Sequence, residues 1–73
     1  MLKEEIERRF TRRQKTGDST VDAYLDILWG QTKIHAQKII DLTVPGREQS
    51  ASITALEESL FWAEQEILRR YLR

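Results

Sequence analysis

The chain has 73 residues, enough for one small domain, and a core of that size supplies only about 3–5 kcal/mol on its own, so disulfides, a metal or partner subunits usually add to it. There is no cysteine, which excludes disulfides and thiolate metal sites, and one histidine, His35, cannot build a zinc site; association with further copies is therefore expected to add the missing stability. Twelve basic and twelve acidic residues cancel, which argues against bulk attraction to nucleic acid or anionic lipid. No segment approaches the ~20 apolar residues of a membrane span, and the acidic start has no signal-peptide shape, so a cytoplasmic protein without membrane contact is expected.

Leu2, Ile6 and Phe10 recur every fourth residue and draw one apolar stripe, which predicts a short helix over 2–15. Glu4, Glu5 and Glu7 stand early in it and Arg12, Arg13 and Lys15 late, the order that suits the helix dipole, and Gly17 ends it. Ser19 with Asp22 three residues on makes an imperfect capping box for a second helix over 20–42. Val21, Leu25, Leu28, Thr32, His35, Ile39 and Leu42 form a heptad seam on it. Tyr24, Ile27 and Ile34 form a second stripe, and Trp29, Ala36 and Ile40 a third. A helix apolar on several sides is buried on several sides, more than three helices can arrange alone. Gly30 interrupts it at a cost of about 1 kcal/mol relative to alanine, which suits a close crossing or a ligand's approach.

Thr43, Val44, Pro45 and Gly46 break the chain, and a third helix is expected over 47–72 with Ile53, Leu56, Leu60, Ala63, Ile67 and Tyr71 as its seam. The short turn makes helices two and three antiparallel neighbours. The predicted fold is all-α: residues 1–73 form one helical-hairpin domain, a short N-terminal helix followed by a long antiparallel αα-hairpin, assembling into a helical oligomer.

Catalytic signals are weak. There is no cysteine nucleophile, no glycine-rich phosphate loop and no H-E-x-x-H pattern. His35 reads as an interior or interface histidine, and adjacent Glu57 and Glu58 point about 100° apart on a helix, which rules out a carboxylate dyad. The protein is expected to bind rather than to catalyse, with no cofactor and no metal. Arg8, Arg9, Arg12, Arg13 and Lys15 surround Phe10, a mixture that suits phosphates and bases but equally a solvated helix end paired with acids. Trp29 and Trp62 read as interface side chains. Arg69, Arg70 and Arg73 at the last helix end read as dipole capping or, repeated around a symmetry axis, as an anion site.

Two stretches carry a family resemblance. Residues 47–63, from Arg47-Glu48-Gln49-Ser50 through Leu56-Glu57-Glu58 to Trp62-Ala63, resemble a signature of the form R-E-x-S-x-A-x-T-x-L-E-E-A-x-x-W-A. Upstream, Arg8-Arg9-Phe10-Thr11 is similar to an R-R-F-T entry motif. Together they resemble the helical-hairpin family of phage anti-defence proteins, the anti-CBASS and anti-Thoeris cyclic-nucleotide sponges. The resemblance implies a hexamer, a trimer of dimers, that sequesters cyclic dinucleotides between protomers without cleaving them. Some members hold cyclic trinucleotides near three-fold axes, and some hold cyclic ADP-ribose isomers.

A pocket of that kind needs cations, flat rings and hydroxyls, and Phe10, Arg12, Trp29, Lys33 and Thr54 supply them. Arg69 matches the arginine near the family's last helix end and, with Gln31, marks an axial trinucleotide site. The chain departs from the pattern after R-R-F-T, where Arg12, Arg13 and Gln14 stand in place of a tyrosine, a histidine and prolines. A basic residue of the family's second helix aligns near Trp29, so ring and cation have traded places. The alternative reading is a helical interaction module with no small-molecule ligand; a polymeric nucleic-acid partner is the weakest expectation.

Overall fold

The computed structural model describes residues 2–72, which form three helices: α1, Lys3–Arg9; α2, Ser19–Leu42; and α3, Arg47–Tyr71. No strand occurs among the described residues, and none of their helices is long and apolar enough to cross a membrane. The long pair α2 and α3 packs as an antiparallel hairpin, as the Pro45-Gly46 break predicts. Inside the turn Gln49 is buried, and its side-chain amide donates to Thr43 Oγ1 at 3.0 Å, tying the start of α3 to the end of α2.

α1 is much shorter than the predicted 2–15. The Phe10 amide closes the last turn on the Ile6 carbonyl, and Thr11 Oγ1 donates to the Glu7 carbonyl, so a side chain takes an acceptor that a continuing helix would have used. Arg12 is drawn instead to Asp22 and Asp26 on α2. Residues 10–18 therefore run as an irregular strap along α2. Gly17 turns it at φ +89°, the left-handed region where a Cβ is strained.

Ile6 and Phe10, one turn apart, are fully buried with Ala36, Ile53 and Leu60. α1 thus closes the turn half of the hairpin, and ion pairs fix its direction: Lys3 with Asp41 at 3.4 Å near the turn, Arg9 with Glu57 at 3.1 Å further along.

The start of α2 also differs from expectation. The N-cap is Asp18 rather than Ser19; its carboxylate accepts from the amides of Thr20 and Val21. Asp22 is occupied elsewhere, by the strap. The inner face of α2 uses the expected seam at Val21, Leu25, Leu28 and Ile39 and shares it with the third stripe, where Trp29, Ala36 and Ile40 meet the core. A straight helix turns 3.6 residues per turn, so a seam spaced at 3.5 rotates away from a fixed neighbour. That rotation leaves His35 and Leu42 exposed, so His35 is not interior within the protomer. The α3 seam stands as read through Ile53, Leu56, Leu60, Ala63 and Ile67, while Tyr71 sits half outside against Tyr24.

Candidate functional site

Because α1 ends at Arg9, the half of the hairpin away from the turn has no third helix over it. The strap edges this gap and leaves a groove of about 450 Å³. Its floor is Leu25, Trp29 and Leu68; its rim is Arg8, Arg9, Arg12 and Arg13 with Thr11, Gln14 and Thr16, faced by Glu64 of α3. Four arginines against one glutamate leave the lining positive, and the indole gives it a flat wall.

Electrostatics decide which of these cations can meet a ligand. Arg12 is nearly enclosed: Nη1 donates to Asp26 at 2.7 Å, and Nη2 pairs with Asp22. Burial works against its charge, but the two aspartates outweigh that and raise its pKa further. Asp22 is held down at about 2, first by the backbone amide of Thr16 and then by the Arg12 guanidinium and the Thr16 hydroxyl. Arg12 is thus a brace for the strap. Arg8, itself exposed, bonds the half-buried Glu5 at 3.3 Å, and Arg9 bridges Glu5 and Glu57, both at 3.1 Å. Arg13 and Lys15 are exposed and have no carboxylate partner among the described residues. Arg13 is therefore the lining cation most open to an anion.

The predicted pocket residues separate in the fold. Phe10, expected to offer its ring to a base, is 1% exposed and belongs to the core, because it shares the stripe of Ile6. Arg12 and Trp29 do come together in the groove, Arg12 as a rim and Trp29 as the wall. The Trp29 indole N–H donates to Glu64 at 3.2 Å, which fixes the ring plane. Lys33 pairs with Glu7 and donates to Thr11 Oγ1 at 3.3 Å, so it supports the rim from behind. Thr54 is exposed on α3, and it does not line the groove. Gln31 and Arg69 are both exposed, on α2 and α3 respectively. Trp62, read as an interface residue, is 60% exposed and meets Phe61 edge-on at 5.1 Å. Glu57, excluded as half of a carboxylate dyad, orients Arg9. Arg73 lies outside the described residues.

Reasoning from sequence set Arg13 among the phosphate-suited cations without giving it to the pocket, and passed over Glu64 and Leu68 as groove residues. Glu64 and Leu68 stand four apart on α3, a one-face spacing visible in the sequence, but the stretch across the gap, 10–15, is predicted as helix and runs as the strap. No group of three or more His, Cys, Asp or Glu side chains that could hold a metal occurs among the described residues. No protein-family model matches the chain, and no curated protein or solved structure does either.

Proposed function

We propose that the protein is a phage anti-defence protein that binds cyclic oligonucleotide immune signals, cyclic dinucleotides above all and cyclic trinucleotides with them, and withholds them uncleaved from a CBASS-type effector. The supporting observation is the groove: an arginine rim beside an indole wall in a concavity of about 450 Å³. Guanidinium groups pair with phosphate oxygens, an aromatic wall stacks on a base for about 1–3 kcal/mol, and the size falls within the usual range for small-molecule sites. Arg13 and Arg8 hold phosphate, Trp29 stacks, and Thr11 and Gln14 supply hydrogen bonds. Arg12 acts behind them by fixing the strap.

The working form is a homo-oligomer, a hexamer on the family resemblance, acting in the cytoplasm of the infected host. One protomer leaves the groove open on its outer side, so a neighbouring copy completes the enclosure. The axial trinucleotide site likewise needs several copies, since Gln31 and Arg69 stand exposed on separate helices. To outcompete a receptor such a protein needs nanomolar affinity, about −12 kcal/mol, which a pre-organised assembly can reach.

Calorimetric titration with 3′,3′-cyclic dinucleotides and a cyclic trinucleotide tests this. Heat of binding is expected, with intact ligand recovered after heat denaturation, and Arg13→Ala is expected to weaken binding about tenfold, one charge-assisted contact. A cleaved product would make the protein an enzyme. A second reading, an interaction module without a ligand, is favoured by the exposed Phe61–Trp62 pair, and absence of heat with every cyclic nucleotide would select it.

A further inference from the structure

The side of α2 turned away from the core carries Ala23, Ile27, Gly30 and Ile34, spaced four, three and four, with Tyr24, Gln31 and Lys38 along one edge and Asp26 and Gln37 along the other. Ile27 is 64% exposed and Ile34 is 55% exposed. Two β-branched side chains and a tyrosine bare along a 24-residue helix are what a helix shows when another helix covers it. Gly30 strengthens the point. A Cβ placed there would meet nothing within 4 Å, so no contact inside the protomer requires glycine. Its cost of about 1 kcal/mol in mid-helix is repaid where a second backbone approaches closely from outside.

We infer that this face is a two-fold seam at which α2 packs antiparallel against α2 of a second copy, with the axis between Gly30 and Gln31. The occupant follows from self-complementarity. A two-fold contact requires that if residue i meets j, then j meets i. About that axis Ile27 of each copy lies over Ile34 of the other, and the Gly30 backbones pass at the crossing. Tyr24 meets Lys38 along one edge, a ring beside a cation. Asp26 meets Gln37 along the other edge, and the two Gln31 side chains meet each other beside the axis. No pair of like charges is brought together, so the face fits its own copy without repulsion. An axis moved by one helical turn sets one isoleucine on its own copy and the other against Asp41 or Thr20, so half of the match is lost.

This seam deepens the assembly half of the proposed function and stands apart from the ligand half. It gives Gln31 to contact between copies, which leaves Arg69 to carry the axial trinucleotide site proposed above. The groove lies toward α1 and the strap, outside the seam, with Asp26 on the shared border pairing with Arg12 at 2.7 Å, so the seam builds a dimer with two outward grooves. Those dimers are the units a trimer of dimers would need.

The absence of cysteine gives a direct test. Gln31→Cys puts a thiol beside its own copy at the axis, within the roughly 5–6 Å between Cα atoms that a disulfide spans. Mild oxidation of the otherwise unaltered chain is expected to convert Gln31→Cys almost wholly to a covalent dimer, while Thr54→Cys on the exposed side of α3 stays largely uncrosslinked. Ile27→Lys with Ile34→Lys is expected to halve the mass in sedimentation while the helical circular dichroism stays unchanged. A monomeric parent chain, or an oligomer in which Gln31→Cys resists crosslinking, overturns the seam. Cyclic-nucleotide titration of the crosslinked dimer separates the two ideas, because a lost groove leaves the disulfide yield unchanged.

Discussion

The two halves of the hairpin are closed by different means. Near the turn, α1 drops Ile6 and Phe10 between α2 and α3 and completes an apolar core with Ala36, Ile53 and Leu60. Away from the turn, the same stretch of chain crosses as a strap held by Arg12, Asp22, Asp26 and Thr16, and nothing apolar enters the gap. Hydrophobic insertion seals; an ionic strap holds position and leaves space. The difference rests on where the apolar stripe ends, at Phe10, after which every residue to Asp18 is polar, charged or glycine.

Substitutions on the two sides should separate in size. Phe10→Ala, in the sealed half, is expected to cost about 3–5 kcal/mol in denaturant unfolding, the range for a large buried ring. If the loss is under about 1 kcal/mol, α1 does not close the core. At the strap's exit, Asp18→Ala removes the α2 cap and is expected to cost about 1 kcal/mol, read as a lower thermal midpoint, with Asp18→Asn retaining most of it. At the exposed end of α2, Leu42→Ala is expected to change stability by less than about 0.5 kcal/mol, since that side chain is 81% exposed. A larger loss would mean that something outside the protomer covers it.

The strap also carries the acid response. Asp22 is held at about 2 against an ordinary 3.8, so the unfolded chain takes up its proton first as the solution is acidified. Its contribution is complete above about pH 4 and disappears as pH falls toward about 2. Melts taken across that window should show a steeper decline for the parent chain than for Asp22→Asn. Parallel curves would mean that Asp22 is no better placed in the folded protein than in the unfolded one.

Much of the fold was legible because periodicity and breakers agree. The four-residue repeat of Leu2, Ile6 and Phe10, the three-four spacing on α3 and the Pro45-Gly46 break each describe a local choice that packing then ratifies. The end of α1 was not legible, because Arg12 and Lys15 are good helix formers and only the distant Asp22 and Asp26 pull Arg12 out of helical register. The same blindness split the candidate site. Phe10 looked like a ring for a ligand because its neighbours are cations, yet its i–4 partner Ile6 marked it as core. Arg12 looked available because a sequence does not display the carboxylates that will neutralise it. Trp29 survived both tests, since the third stripe carries it to the groove floor, where Glu64 anchors the indole. Arg13 stood out from the other cations of its cluster only in three dimensions, as the one groove arginine left over once its neighbours were paired.

Native mass spectrometry of the full chain with an equimolar mixture of cyclic dinucleotides, cyclic trinucleotides and linear controls addresses retention by an assembly in a single spectrum. An even-numbered oligomer carrying up to one intact cyclic ligand per groove, and no linear species, is the expected result. A folded, ligand-free monomer at micromolar concentration would contradict it.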